Sequence, residues 1–245
     1  MKNMTSLMKV EIILMKRQAI YYLLSIGLPS VFYLIFSGMM SGSDIPEIAL
    51  QAYLFAMTLF SIMSSAFFSI PSTLESDKTN NWQKLIQHSP VSMVEYYLIK
   101  VVGLFVDFLL SIVVVFTVGH VVRHVNMPLQ DWVLAAFILI LGSLAFVALG
   151  LVLTLLPSSQ LMSVVGNLLY MGLAVMGGLW MPISLFPEWM QAIGKCLPTY
   201  QLMELIKTFL NKGQVNVFAS VYLTLFTLVL FALVIVYRRH SEVRS

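Results

Sequence analysis

Gly177 to Lys207 reads GGLWMPISLFPEWMQAIGKCLPTYQLMELIK, a stretch apolar enough for a membrane yet cut by Pro182, Pro187 and Pro198. Each interior proline removes a backbone donor and clashes with the preceding turn. The segment must therefore bend, or form short helices, where an uninterrupted span would otherwise sit. A plain hydrophobic anchor has no use for it.

The chain around this stretch has 245 residues, of which 59% are hydrophobic and only 10% charged, and its mean hydropathy is +0.90. These values lie outside soluble globular composition and predict an integral membrane protein. A bilayer core about 30 Å thick needs roughly 20 helical residues per span. Six runs meet that need: approximately Ala19 to Met40, Ile48 to Ile70, Tyr96 to Gly119, Trp132 to Leu156, Leu161 to Trp180 and Val217 to Tyr237. Their length and uniform apolarity argue against a β-barrel, whose spans are about ten alternating residues. The expected fold is an all-α integral membrane protein, a single transmembrane domain over residues 1–245.

Orientation follows from Lys and Arg in the short flanks, because positive segments resist translocation. Ten of the fourteen fall on one side: Lys2, Lys9, Lys16, Arg17, Lys78, Lys84, Lys100, Arg238, Arg239 and Arg244. Arg123, Lys195, Lys207 and Lys212 fall on the other. Both termini are expected in the cytoplasm, which agrees with an even number of spans.

The net charge of +3 is mostly this bias. No basic patch interleaved with aromatics points to nucleic acid. The single cysteine, Cys196, excludes an internal disulfide and offers no metal-ligand pair. Met1 to Arg17 lacks the uninterrupted apolar core and small-residue cleavage site of a secretory signal, so the first span is expected to be retained. Met4, Leu7, Met8, Ile12 and Met15 recur at helical spacing, which suggests an amphipathic interface helix over residues 1–18. The same residues also suit a basic flank that fixes topology.

The longest polar segment, residues 74–94, joins spans two and three. Trp82, Leu85 and Ile86 are spaced for one helical face, Ser89-Pro90 ends that helix, and Ser92 with Glu95 forms a capping-box pattern for the next. The alternative is a polar loop with one helical turn that merely connects two spans. In the fifth span Gly166, Gly172, Gly177 and Gly178, with Ala174, permit close helix approach, either within the chain or at a dimer face.

Enzymatic chemistry is poorly represented. Gly194-Lys195-Cys196 lacks the earlier glycine and the Ser or Thr of a GxxxxGK[ST] phosphate loop. No HExxH occurs, and His88, His120, His124 and His240 are scattered. His120 and His124 could share a helix face, but two ligands without a third are weak grounds for a metal, and none is expected. Asp107 is the only acid well inside a span, whereas an intramembrane aspartyl protease needs two. It reads as a pathway or proton-linked group, or as a hydrogen-bonded acid within the bundle.

Taken in order, Glu75, then Lys84-Leu85-Ile86, Pro90-Val91-Ser92 and Tyr97-Leu98-Ile99-Lys100 resemble the loop between spans two and three of type-2 ABC exporter permeases. That family often has a Gly-Thr pair where this chain has Asn80-Asn81-Trp82. Gly178 to Pro182, Phe186-Pro187 and Leu197-Pro198-Thr199-Tyr200 resemble its sequence before the last span. The resemblance covers nearly the whole chain.

It implies the transmembrane subunit of an ATP-driven exporter. A pathway lined by Phe, Met, Leu and Tyr with few fixed charges suits an amphipathic or lipid-like substrate such as a drug, antibiotic or lipid. The chain itself would not be an enzyme and would bind no cofactor. ATP and magnesium would sit on a separate ATP-binding cassette ATPase, present in two copies. A second copy of the permease, or a paralogous one, would complete the assembly in a cytoplasmic, expectedly bacterial, cell membrane.

In this reading Glu75, Trp82, Lys84, Leu85, Ile86 and Pro90 couple to the ATPase. Residues 181–212 form an outer re-entrant hairpin of two short half-inserted helices turning near Gly194 to Pro198. Pro182, Pro187, Pro198 and Glu204 mark the outer gate, and Asp107 is a candidate polar group of the pathway. An ion-coupled secondary transporter and a non-transporting membrane enzyme or assembly factor are the competing readings.

Overall fold

The computed structural model describes residues 19–39, 47–82, 85, 88 and 92–242. The interface helix expected over residues 1–18, and Lys84, Ile86 and Pro90 of the expected coupling segment, lie outside the described residues.

Among those described, every regular element is a helix or helical turn and none is a strand. In chain order they are α1 (Ala19–Met39), α2 (Glu47–Ser64), a π turn (Ser65–Ser69) and α3 (Ile70–Thr79). Then come α4 (Met93–Arg123), α5 (Leu129–Gly142), α6 (Leu144–Leu153) and α7 (Ser159–Met176). A 3-10 turn (Ile183–Leu185), α8 (Glu188–Lys195), α9 (Pro198–Lys212) and α10 (Val217–Glu242) complete the chain. Among the described residues six helical segments are long and apolar enough to cross a membrane.

The end of the bundle where α1 begins and α10 finishes is called here the near end, and the opposite one the far end. The central helix is α2, in which every residue from Tyr53 to Ser64 is buried. It is surrounded by α1, α4, α7 and α9, while α10 packs on α6 and α9. Outside, α1 exposes Ile20, Leu23, Leu24, Leu28, Val31 and Ile35. Such an apolar outer face suits lipid, which has no hydrogen bonds to offer.

Two prolines explain how the central helix is fitted. Pro29 lies inside α1 and has no N–H for the Ser25 carbonyl four residues earlier. Ser61 of α2 supplies the missing donor, its Oγ donating to Ser25 O at 2.9 Å. In the π turn that follows α2 the ladder widens, so that the Ile70 N–H donates to Ser65 O, five residues back. In that register the partner of Ala66 O would be the nitrogen of Pro71, which carries no hydrogen. The orphaned Ala66 carbonyl meets Gly150 of α6 so closely that a side chain there would overlap it. A Cα–H against a carbonyl is a weak bond, but only glycine lets the two backbones approach this far.

The span limits differ from the sequence expectation in physically legible ways. The second span continues as helix to Thr79, because the π turn absorbs Pro71 instead of ending there. The third starts at Met93, where Ser92 and Glu95 form the expected capping box. The Glu95 N–H donates to Ser92 Oγ at 3.2 Å and the Ser92 N–H to Glu95 Oε2 at 2.9 Å. The fourth is broken at Ser143, whose hydroxyl bonds back to Leu139 O. The fifth stops at Met176, short of Trp180, since Gly178 takes φ of 79° and turns the chain.

Candidate functional site

At the near end α3 projects beyond the apolar part of the second span and is tied on both sides. Asp77 accepts a hydrogen bond from the Tyr96 hydroxyl at 2.5 Å and pairs with Lys100 at 3.1 Å. The Lys100 ammonium also lies 5.6 Å from the centre of the Tyr96 ring. Both charged side chains are about 15% exposed (15% and 14%), so the pair is only partly screened by water. On the other flank Ser159 Oγ donates to Glu75 Oε1 at 3.1 Å.

Glu75 was expected in a loop. It sits instead on α3, holding that helix to the start of α7. Asp77, Tyr96 and Ser159 have no role in the sequence reading, and Lys100 enters it only through the charge bias and the family motif, because their partners lie 19 to 84 residues away and no local pattern joins them. After α3 the chain turns at Asn81, which takes φ of 55°. Trp82 is half-buried there and Leu85 is exposed. The Leu85 N–H donates to Asn81 O at 3.1 Å, one turn of helix carrying the two apolar residues.

Deeper in the bundle Asp107 of α4 is buried. Its Oδ1 accepts from the Tyr22 hydroxyl of α1 at 2.6 Å, and its Oδ2 from the Ser69 hydroxyl of the π turn at 3.3 Å. The carboxylate therefore joins three elements that share no local sequence. One turn along α4, Ser111 Oγ is buried without a hydrogen-bond partner in this arrangement. His120 and His124 form no site: His120 Nδ1 lies 3.1 Å from Val125 O, while His124 caps α4 in a left-handed conformation. No group of three or more potential metal ligands occurs among the described residues.

At the far end the three prolines start helices instead of interrupting them. Pro182 precedes the 3-10 turn, Pro187 precedes α8 and Pro198 is the first residue of α9, positions where a missing N–H costs nothing. The turn between α8 and α9 is heavily anchored. Thr199 Oγ1 donates to Leu173 O at 3.0 Å, the Tyr222 hydroxyl to Cys196 O at 2.5 Å, and Gln201 Nε2 to Lys195 O at 2.6 Å. Gly177 and Gly194 supply the close approaches, against Thr199 and the Met176 carbonyl respectively, and Leu202 fills a notch at Gly142.

Glu204 lies on α9 with Lys207 at 3.8 Å, a half-exposed pair of little energetic weight. Trp180, just beyond α7, makes edge contacts with Phe32 of α1 at 5.6 Å and Phe60 of α2 at 5.5 Å. Phe60 in turn stacks on Tyr170 at 4.6 Å.

Six spans, a proline-started helical pair before the last of them and a polar near-end segment between the second and third match one family. The sequence profile described as ABC-2 family transporter protein matches residues 46–236. The chain belongs to the ABC-2 transporter family. It is also 31% identical over 201 residues to the protein named "Putative transport permease YvfS" of Bacillus subtilis (strain 168), covering 80% of this chain and 82% of that one. As an ABC-2 permease it is a multi-pass membrane protein, the membrane subunit of a transporter, and its family partners it with an ATP-binding subunit.

Proposed function

We propose that the chain is the membrane half of an ATP-driven exporter, powered by a separate ATPase that docks at the near end. The observation that carries this is the clamped α3 arm, which ends in a helical turn presenting Trp82 and Leu85. An arm tied to both α4 and α7 suits transmission of a push from outside the membrane into several spans at once. The near end is then cytoplasmic, in keeping with the excess of Lys and Arg there.

Two copies of the ATPase imply two permeases. In support, α7 exposes Ser163 and Asn167 on a spanning segment, where Asn167 Nδ2 bonds only back along its own helix to Ser163 O at 3.0 Å. Polar groups at that depth are better covered by a second permease than by lipid.

The hairpin reading draws support from depth. Leu173, which receives the Thr199 bond, is the fifteenth residue of α7 and so about 21 Å from its near end at 1.5 Å per residue. Gly142, which receives Leu202, is the last of the 14 residues of α5 and about 20 Å from its far end. The turn between α8 and α9 thus lies well within the thickness of a bilayer about 30 Å across. A helical pair that dips in and returns is placed to close the outer end of a path. The aromatic row of Phe32, Trp180, Phe60 and Tyr170 beneath it suits an amphipathic or lipid-like substrate better than a bare ion.

Replacing Trp82 and Leu85 together by Ala is expected to weaken capture of the ATPase by the purified permease at least about thirtyfold, the loss of one interface anchor worth about 2 kcal/mol. Undiminished capture and ATP hydrolysis would remove this segment from the interface. A single cysteine at Glu188, with Cys196 replaced by Ser, is expected to react with a membrane-impermeant maleimide added to intact cells. Reaction from the cytoplasmic side alone would reverse the orientation and with it the gate.

A further inference from the structure

We propose that the π turn Ser65–Ser69 is the hinge by which the α3 arm moves against the rest of the second span, and that Asp107 is the positioning residue that latches it. The proposal rests on the ATP-driven reading above and goes beyond it, from the docking face to the residues inside the bundle.

Four observations converge on this one turn. Its helical ladder is already disrupted: the Ile70 N–H reaches five residues back, and Pro71 leaves Ala66 O without an intrahelical donor. A widened turn followed by proline has fewer backbone bonds to break when it changes shape, and helices kink at such points. Residues on its two sides are held by different neighbours. Above it, Ser61 fixes α2 to α1 through Ser25 O. Below it, Asp77 and Glu75 fix α3 to α4 and α7. Torque applied to the arm therefore concentrates on the five residues between.

The fourth observation is the latch. From the π turn the Ser69 hydroxyl reaches across to another element, donating to Asp107 Oδ2. The other Asp107 oxygen is held by Tyr22 of α1. Hydrogen bonds to a carboxylate in a medium of low dielectric are stronger than neutral ones, so two hydroxyls on one carboxylate define a preferred position of the turn. The unpartnered Ser111 hydroxyl, one turn away on the same helix, extends the polar lining along which a displaced hydroxyl could bond again.

The test uses the full-length permease with the ATPase that co-purifies with it, in nanodiscs. Spin labels are placed at Lys78, exposed on the α3 arm, and Thr117, exposed toward the far end of α4, with Cys196 replaced by Ser. Their separation is measured without nucleotide and after trapping with ATP and vanadate. The wild type is expected to shift by about 3 Å or more, the scale of helix rearrangements in switching proteins. In Asp107→Leu the shift should fall at least about fivefold while ATP hydrolysis stays within about twofold of wild type, as expected when a coupling term is removed but assembly is not. Asp107→Asn, which keeps shape and an acceptor, should restore part of the shift.

If Asp107→Leu does not fold, Tyr22→Phe and Ser69→Ala, each deleting one hydroxyl, must reduce the shift, and together more than singly. A wild-type separation unchanged by nucleotide, with ATPase bound, overturns the hinge while leaving the proposed function standing. A full wild-type shift in Asp107→Leu, or in the double hydroxyl variant, overturns the latch. A permease that captures no ATPase overturns the proposed function, and the hinge with it.

Discussion

Leucine in place of Gly150 will abolish the folded permease or lower its thermal midpoint far more than leucine at Gly172. At Gly150 a side chain would meet the Ala66 carbonyl, a backbone atom fixed by the π turn and unable to rotate away. At Gly172 nothing lies within 4 Å of the added atom. Overpacking that only side chains must absorb costs about 1–3 kcal/mol, so a clash with backbone at a helix crossing should cost about 3 kcal/mol or more. The Gly172 control carries no such cost, and within a helix loss of glycine gains about 0.5 kcal/mol or more. Size-exclusion profiles after stepwise heating in detergent will rank the two, and equal midpoints would contradict the crossing described for α6 and the π turn.

Valine at Gly177 should have the second largest effect, confined to the far end. The added carbons would displace Thr199 Oγ1 from Leu173 O and press on the Leu173 carbonyl itself. One buried hydrogen bond is lost, the Thr199 hydroxyl is left buried without its acceptor while Leu173 O keeps the Gly177 N–H, and the α8–α9 turn must lift. Together these should cost about 3 kcal/mol of local docking energy. Limited proteolysis in detergent reads this locally: cleavage near Lys195 should accelerate strongly in Gly177→Val, while sites at the near end keep their rates. Thr199→Val, which removes the hydroxyl without adding bulk, should give the same pattern at smaller amplitude. Uniform acceleration everywhere would mean that the hairpin is not a separately docked unit.

The two glycines also show what the sequence could and could not disclose. Gly177 and Gly166 announce close packing by composition alone, and the near-end capping box at Ser92 and Glu95 is local enough to be read directly. The six spans follow from length and apolarity. The π turn does not, because Ser64 to Pro71 reads as ordinary apolar helix ending at a proline. Its existence depends on Gly150, which accepts the displaced carbonyl from 84 residues away in the chain. The hydroxyls on Asp107 are hidden for the same reason. Tyr22 lies 85 positions from it, and periodicity carries no information over that distance. Glu75 falls, by sequence, in the polar segment beyond the second span, whereas the widened turn lets the helix continue through Pro71 to include it.

The two carbonyls freed by proline have a further consequence for the central helix. Between apolar helices in lipid, sliding by a turn or rotating by a residue exchanges one greasy contact for another, and the hydrophobic effect does not choose between them. The Ser61 hydroxyl on Ser25 O and the Gly150 backbone on Ala66 O each fit only one alignment. They act as index marks on a scale otherwise blank, one setting the height of α2 against α1 and the other its height and rotation against α6. Interchangeable side chains can fill the spaces between the marks.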